Sequence, residues 1–212
     1  MSENNWLDII REERIIAVIR AFPHTLGKQL AQAMRKGGIR IIEITWNSDR
    51  AADLIPQLRS EMPDCIIGTG TILTVAELNS AIASGAQFVF TPHVNLELIA
   101  TATANQIPII AGALSPTEIV TAHQAGATAV KVFPVQAMGG VNYLKSLQGP
   151  LGNIPLIPTG GVTLENAKAF IEAGAIGVGL SSQLFPKALI ETENWEAMTQ
   201  QASKLKQTLD NN

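Results

Sequence analysis

Eight short apolar runs, rich in β-branched residues, recur along the chain at a nearly constant interval. Their first residues are 19 to 26 positions apart, an interval that holds one strand, one helix and two short loops. The runs are almost continuously apolar, which is typical of parallel strands that are covered on both faces. They are Ile15–Arg20, Ile39–Trp46, Cys65–Ile72, Phe88–His93, Ile107–Ala113, Ala129–Pro134, Ile154–Gly161 and Ile176–Ser182.

The segments between the runs carry the start and stop signals of helices. Ser115–Glu118 and Thr74–Glu77 are capping boxes, and Asn95 and Thr163 are candidate N-caps. Glycines stand just before the next apolar run, as they do at helix C-termini. Eight such units predict an α/β fold, a single (β/α)8 TIM barrel in one domain over residues 1–212. The alternative is an open doubly wound sheet, but no glycine-rich dinucleotide fingerprint follows the first strand.

Composition and charge exclude several classes of function. The 212 residues are 46% hydrophobic and only 5% aromatic, and their formal net charge is −3. Without a basic stretch or stacking aromatics, no nucleic-acid partner is expected. Residues 1–14 are polar and acidic, so they predict an extra N-terminal helix that closes the barrel bottom and not a signal peptide. No apolar run approaches the roughly 20 residues that span a bilayer, so we expect a cytoplasmic protein without a membrane partner.

A lysine and a glutamate stand among apolar neighbours in two of the runs. Lys131 is flanked by valines, and Glu43 is the only acid within any of the eight runs. Strand alternation places Glu43 with Thr45, and Lys131 with Phe133, on faces that point into the barrel. Burial lowers the pKa of a lysine and so yields the neutral amine that a Schiff-base nucleophile needs. A nucleophile beside an acid/base suffices for imine chemistry, and a structural ion pair is the alternative.

Other polar residues end the runs at the carboxyl side of the predicted barrel, where the active sites of such barrels lie. Arg20 is positioned to bind a carboxylate or phosphate, or else to lie exposed at a loop mouth. The glycines of Gly68–Thr71 are expected to let a ligand approach closely. Thr159–Gly161 and Ser181–Ser182 follow the last two strands, and loops there, leading into helix N-termini, commonly bind phosphate.

The histidines and the single cysteine give no metal-binding pattern. His24, His93 and His123 are widely separated, and none is paired with Cys65 or a nearby acid at ligand spacing. Cys65 lies in an apolar run and is expected to be a small core residue. The sequence therefore predicts no metal site.

These motifs together resemble the family of 2-keto-3-deoxy-6-phosphogluconate (KDPG) and 4-hydroxy-2-oxoglutarate (KHG) aldolases. The family comprises small class I aldolases that depend on pyruvate and form trimeric (β/α)8 barrels. The resemblance extends from about Ile15 to Pro186. Its motifs are Ile42–Thr45, Gly68–Thr71, Thr91–His93, Lys131–Pro134 and Pro158–Val162.

The resemblance implies roles for individual residues. Lys131 matches the lysine that forms the Schiff base, and Glu43 matches the general acid/base. It further implies a 2-keto acid as the small-molecule substrate, no metal or other cofactor, and a homotrimer. The matching pyruvate-pocket residues are Thr71, Pro92, Phe133 and Thr159, and those of the phosphate site are Gly160, Gly161 and Ser182.

The sequence departs from the family pattern at two places. Many members have an arginine four residues after the glutamate, where it binds the pyruvate carboxylate, but this chain has Asn47. An amide is a weaker carboxylate ligand than a guanidinium, and Arg20 is a candidate for part of that role. A serine, Ser181, replaces the glycine that the family has before Ser182, where it narrows the phosphate mouth or adds a hydroxyl.

Three functions follow from this reading. The first is reversible cleavage of KDPG to pyruvate and glyceraldehyde 3-phosphate. The second uses the same imine mainly for KHG cleavage or oxaloacetate decarboxylation, because both departures concern substrate preference and not imine formation. The third is a barrel that binds a sugar phosphate without turnover, in which Lys131 and Glu43 form only a structural pair.

Overall fold

The computed structural model describes residues 3–210, and all eight predicted strands are present within them. Each strand is shorter than its apolar run, because the ends of the runs belong to loops. The fourth is only two residues long. The strands are β1 Ile15–Ile19, β2 Ile41–Thr45, β3 Ile66–Gly70, β4 Val89–Phe90, β5 Ile109–Ala113, β6 Ala129–Val132, β7 Leu156–Pro158 and β8 Val178–Leu180.

The strands form one parallel sheet in which neighbours in sequence are neighbours in space. The order is β7-β6-β5-β4-β3-β2-β1-β8. A parallel bridge between Thr159 and Gly179 joins the two ends of this order. The Ile176 N–H also donates to the Leu156 carbonyl at 3.1 Å. The sheet therefore closes into a TIM barrel as predicted, and the doubly wound alternative is wrong.

Helices cover the outside of the barrel, and most of the predicted caps are confirmed. Both capping boxes form, and the Asn95 side chain accepts two backbone N–H groups. Thr163 is an exception, because it caps a single turn closed by Asn166, and the helix begins only at Ala167. The helices are α1 Glu3–Glu13, α2 His24–Lys36, α3 Ala51–Glu61, α4 Val75–Ala83, α5 Leu96–Ala104, α6 Pro116–Gln124, α7 Val141–Leu151, α8 Ala167–Glu172, α9 Lys187–Glu191 and α10 Trp195–Asp210.

The first helix closes the amino-terminal end of the barrel. Trp6 and Ile10 are fully buried and join a core cluster with strand residues that point into the barrel. The Trp6 ring lies 5.8 Å from that of Phe88. The predicted N-terminal helix is therefore present as α1, although positions 1 and 2 lie outside the described residues. With the bottom filled by apolar side chains, only the carboxyl ends of the strands remain open to a ligand.

The last helix packs against its own barrel. The Thr199 hydroxyl in α10 donates to the Ala33 carbonyl at the end of α2. A Cβ at Gly37 would collide with the Ala202 side chain, so the chain approaches α10 closely there. None of the helices within residues 3–210 is both long and apolar enough to cross a membrane.

Candidate active site

A cavity of about 490 Å³ opens at the carboxyl ends of the strands. It brings together eleven of the twelve site residues that the sequence predicted. Because they come from seven different strands and their loops, only closure of the barrel makes them neighbours. They are Arg20, Glu43, Thr71, Pro92, Lys131, Phe133, Thr159, Gly160, Gly161, Ser181 and Ser182.

Lys131 and Glu43 share the innermost part of this cavity. Lys131 is 6% exposed and Glu43 is 1% exposed, as expected of side chains inside a closed barrel. Their neighbours Val130, Val132 and Ile44 belong instead to the core between the strands and the helices. The predicted alternation is therefore confirmed, with the charged faces inside and the apolar faces outside.

The lysine amine lies among aromatic rings. Lys131 Nζ is 4.7 Å from the centroid of the Phe133 ring and 5.7 Å from that of Phe90. Both oxygens of Glu43 are buried without a hydrogen-bond partner. Polar atoms are rarely left in this state, because each costs about 1–3 kcal/mol. An unpaired carboxyl group beside an amine points to a site that is completed by water or a ligand.

Burial perturbs the pKa of both groups. Desolvation raises the pKa of Glu43, opposed by the positive charges of Lys131 and Arg20. Desolvation also lowers the pKa of Lys131; Glu43 opposes this shift, and Arg20 adds to it. Both shifts favour the uncharged forms, since charge is costly in a low-dielectric interior. The lowered pKa of Lys131 favours the neutral, nucleophilic amine, and the raised pKa of Glu43 makes its carboxylate a better proton acceptor.

The glycines of β3 have a role that the sequence did not predict. A Cβ at Gly70 would collide with the Glu43 carboxyl group, and a Cβ at Gly68 would lie 2.6 Å from the Phe88 ring. The expectation that these glycines admit a ligand is wrong. They make room for the protein's own acid and for the ring that fills the barrel.

Two threonines on the cavity wall have unusual local structure. Thr71 directly follows β3 with a φ of 63°, a left-handed conformation that is uncommon for a residue other than glycine. Backbone strain of this kind is concentrated at functional sites. Thr159 Oγ1 is buried without a hydrogen-bond partner. Its hydroxyl is therefore free to bind a ligand in the cavity.

The glycine loop after β7 packs tightly against the loop after β6. Gly160 and Gly161 have φ values of 79° and 100°. A Cβ at Gly160 would lie 3.1 Å from the Phe133 ring, and one at Gly161 would collide with Gln136. Because α8 begins only at Ala167 and has six residues, the loop itself, and not a helix N-terminus as expected, lines the cavity.

The structure separates the two predicted carboxylate ligands. Asn47 is exposed in the loop after β2 and does not line the cavity, whereas Arg20 is exposed at the cavity rim. Four lining residues are not among the predicted site residues, although strand alternation already placed Thr45 on the inward face. Strand side chains alternate, so Val18 shares a face with Arg20, and Thr45 shares one with Glu43. Val162 and Gly179 reach the cavity only because the barrel closes. The four are Val18, Thr45, Val162 and Gly179.

Comparison with known proteins identifies the family. The sequence model described as KDPG and KHG aldolase matches residues 7–201. This chain belongs to the KDPG and KHG aldolase family. Within the described residues, no group of three or more His, Cys, Asp or Glu side chains is placed to hold a metal ion.

Relatives of this aldolase have similar sequences and folds. It is 36% identical over 190 residues to the 2-dehydro-3-deoxy-phosphogluconate aldolase of Haemophilus influenzae, covering 90% of each chain. It is 29% identical to the KHG/KDPG aldolase of Escherichia coli K12, covering 88% of this chain and 87% of the other. A KDPG aldolase from Legionella pneumophila, crystallised with pyruvate captured as a covalent carbinolamine intermediate, superposes with a TM-score of 0.86 at 28% identity. That match covers 94% of this chain and 97% of the other.

Membership of this family decides between an enzyme and a binding protein, the two classes that the sequence left open. This aldolase is a lyase of the class I, pyruvate-dependent type. The alternative of a sugar-phosphate-binding barrel without turnover is therefore wrong.

Proposed function

We propose that this aldolase reversibly cleaves KDPG to pyruvate and glyceraldehyde 3-phosphate through an imine on Lys131. The observation that carries the proposal is the burial of Lys131, with its lowered pKa, in one cavity with Glu43. The covalent carbinolamine captured in the Legionella pneumophila relative supports it. Covalent catalysis divides one difficult carbanion step into easier ones.

In the proposed reaction, the neutral amine of Lys131 attacks the C2 carbonyl of the substrate. The hydroxyl group of the resulting carbinolamine takes a proton from the Glu43 carboxyl group and leaves as water, so that an iminium ion and the Glu43 carboxylate remain. Glu43 as a carboxylate then removes the proton of the C4 hydroxyl, and the electron pair of the C3–C4 bond moves into the iminium. Glyceraldehyde 3-phosphate leaves, and an enamine remains on Lys131.

The same two residues complete the cycle. Glu43, now protonated, returns its proton to C3 of the enamine, which becomes an iminium again. Water hydrolyses this iminium and Glu43 takes up the proton that is set free, so that pyruvate and the neutral amine are released. The positive charge of each iminium favours the carboxylate form of Glu43 and so counteracts the desolvation that raises its pKa. A positioned acid/base of this kind contributes about 10²–10⁴-fold to the rate.

The two anionic ends of the substrate are assigned to opposite sides of the cavity. The carboxylate is bonded to the carbon that Lys131 attacks, so it lies near Lys131, where Arg20 and Thr71 line the wall. The phosphate is assigned to the backbone of Gly160 and Gly161 and to the serines Ser181 and Ser182.

A second candidate function keeps the imine but changes the substrate. Lys131 and Arg20 are the only basic side chains among the residues that line the cavity. The end assigned to the phosphate therefore has no lysine or arginine to bind a second anion. This favours KHG cleavage or oxaloacetate decarboxylation, because their substrates carry a singly charged carboxylate in place of the more highly charged phosphate. The iminium accepts electrons in decarboxylation as it does in aldol cleavage.

Specificity constants distinguish the two candidates. We expect kcat/KM for KDPG to exceed the values for KHG and oxaloacetate in parallel assays of purified protein. Equal or higher values for the unphosphorylated substrates would favour the second candidate and contradict the assigned phosphate site.

We also propose that the enzyme is a homotrimer, as the family resemblance implies. Phe22, Leu73, Leu96 and Met138 are large apolar side chains with 43–63% exposure, and all four lie at the catalytic end of the barrel. Apolar surface of this kind marks contact sites. The molar mass of the protein in solution, measured by light scattering after size-exclusion chromatography, tests the proposal. A monomeric mass would contradict it.

A further inference from the structure

A buried serine outside the cavity links two of the groups that line it. Ser48 is 8% exposed, lies in the loop after β2 and does not line the cavity. Its hydroxyl oxygen accepts a hydrogen bond from the Ala21 N–H at 3.2 Å and lies 3.1 Å from Thr45 Oγ1. Ala21 directly follows Arg20, and Thr45 is on the same strand face as Glu43.

The directions of these hydrogen bonds follow from counting protons. The Ala21 N–H donates to Ser48, so one lone pair of the hydroxyl is used. If Thr45 also donated, the Ser48 proton would have no acceptor among residues 3–210, which is costly for a buried group. Thr45 lines the cavity and can give its own proton to a molecule bound there, whereas Ser48 does not line it, so we assign Ser48 as the donor to Thr45 Oγ1. The proton of the Thr45 hydroxyl is then directed away from Ser48 and is free to serve a ligand in the cavity.

Asp49, next to Ser48, makes two more hydrogen bonds to the segment that follows β1. The Asp49 N–H donates to the Ala21 carbonyl at 3.0 Å, and its carboxylate accepts the His24 N–H at 2.8 Å. The segment that begins at Arg20 is thus fixed by two consecutive residues. Because the bonds of Asp49 do not involve the Ser48 side chain, we expect the loop to stay attached when the Ser48 hydroxyl is removed.

We infer that Ser48 is a positioning residue for recognition of the substrate carboxylate. It orients the Thr45 hydroxyl as a donor into the cavity and fixes the backbone from which Arg20 extends. Arg20 lines the same cavity as Lys131 and Glu43, so its guanidinium faces the space in which a carboxylate next to the imine carbon would lie. This inference rests on the proposed function, because it needs a 2-keto acid bound at Lys131.

The test combines Ser48→Ala with Ser48→Thr, which keeps the hydroxyl. We expect Ser48→Ala to raise the KM for KDPG, and the pyruvate concentration that half-saturates borohydride trapping, by about tenfold. The kcat should change by less than about threefold, since the reacting groups are untouched. Ser48→Thr should restore both binding values to within about twofold of the parent. A folded Ser48→Ala variant with parental binding values would overturn the inference.

A double-mutant cycle separates positioning from a general effect on the fold. In a protein that already carries Arg20→Ala and Thr45→Val, Ser48→Ala should change KM by less than about twofold, because its two targets are absent. The same tenfold loss in that background would overturn the inference. A parent protein that forms no pyruvate adduct at all contradicts the proposed function instead, so the two failures are distinguishable.

Discussion

The carboxyl group of Glu43 occupies the space that a side chain at Gly70 would fill. Glu43 is on β2 and Gly70 ends β3, so two adjacent strands together form the site of the acid. The register pairs Glu43 with Gly68 and Thr45 with Gly70. A glycine at the end of β3 is therefore required by the position of the Glu43 carboxyl group and not by the turn that follows.

Replacement of Gly70 by alanine tests this relationship. The added methyl group would displace the Glu43 carboxyl, so we expect kcat to fall about 10²-fold or more. The pyruvate adduct on Lys131 should still form, because the amine is not displaced. Gly149→Ala is the control, since a Cβ there meets nothing within 4 Å. Parental kcat in a folded Gly70→Ala variant would contradict the assigned role of Glu43.

The buried acid makes stability depend on pH in a defined direction. Because the pKa of Glu43 is raised above 4.5 in the folded protein, the folded state binds more protons than the unfolded state above that pH. Stability contributed by this group is therefore lost as pH rises through the raised pKa. The glutamine of Glu43→Gln cannot ionise, so the variant does not lose this stability. The free energy of unfolding of the variant minus that of the parent should therefore increase from about pH 5 to about pH 8. Urea unfolding at both values measures this, and a constant difference would contradict the raised pKa.

Arg20 and Asn47 are expected to differ in importance for substrate binding. Arg20 lines the cavity, whereas Asn47 is exposed outside it. Arg20→Ala should raise KM by about 10- to 100-fold, as expected for loss of a charge-assisted hydrogen bond. Asn47→Ala should change it by less than about twofold, because solvent already surrounds that side chain. Steady-state kinetics of both variants decide, and the reverse ranking would restore Asn47 as the carboxylate ligand.

The N-terminal helix should contribute measurably to stability. Trp6 is fully buried and contacts Phe88 inside the barrel, whereas Leu7 on the same helix is only partly buried. Trp6→Ala should reduce the free energy of unfolding by about 3–5 kcal/mol. Leu7→Ala should cost clearly less. Equal losses in chemical unfolding would show that α1 does not close the barrel through Trp6.

Local patterns were sufficient to predict the architecture and most of the site. Apolar runs at a steady interval predicted all eight strands, and alternation alone placed Lys131 and Glu43 inside the barrel. These predictions succeeded because burial and side-chain direction depend on a few neighbouring residues.

The errors concern contacts between distant segments. The function of Gly70 depends on a side chain 27 positions earlier, and the path that leaves Asn47 outside the cavity depends on the bonds of Ser48 and Asp49 to Ala21. Such contacts exist only after the strands have paired. Periodicity and spacing therefore carry no signal for them.

Borohydride reduction in the presence of pyruvate, followed by peptide mapping, tests the central claim most directly. Reduction converts an imine into a stable secondary amine, so the adduct remains on the residue that formed it. We predict a single adduct on Lys131, its loss in Lys131→Met, and its retention in Glu43→Gln. An intact, folded protein that forms no adduct, or forms it on another lysine, would contradict the account.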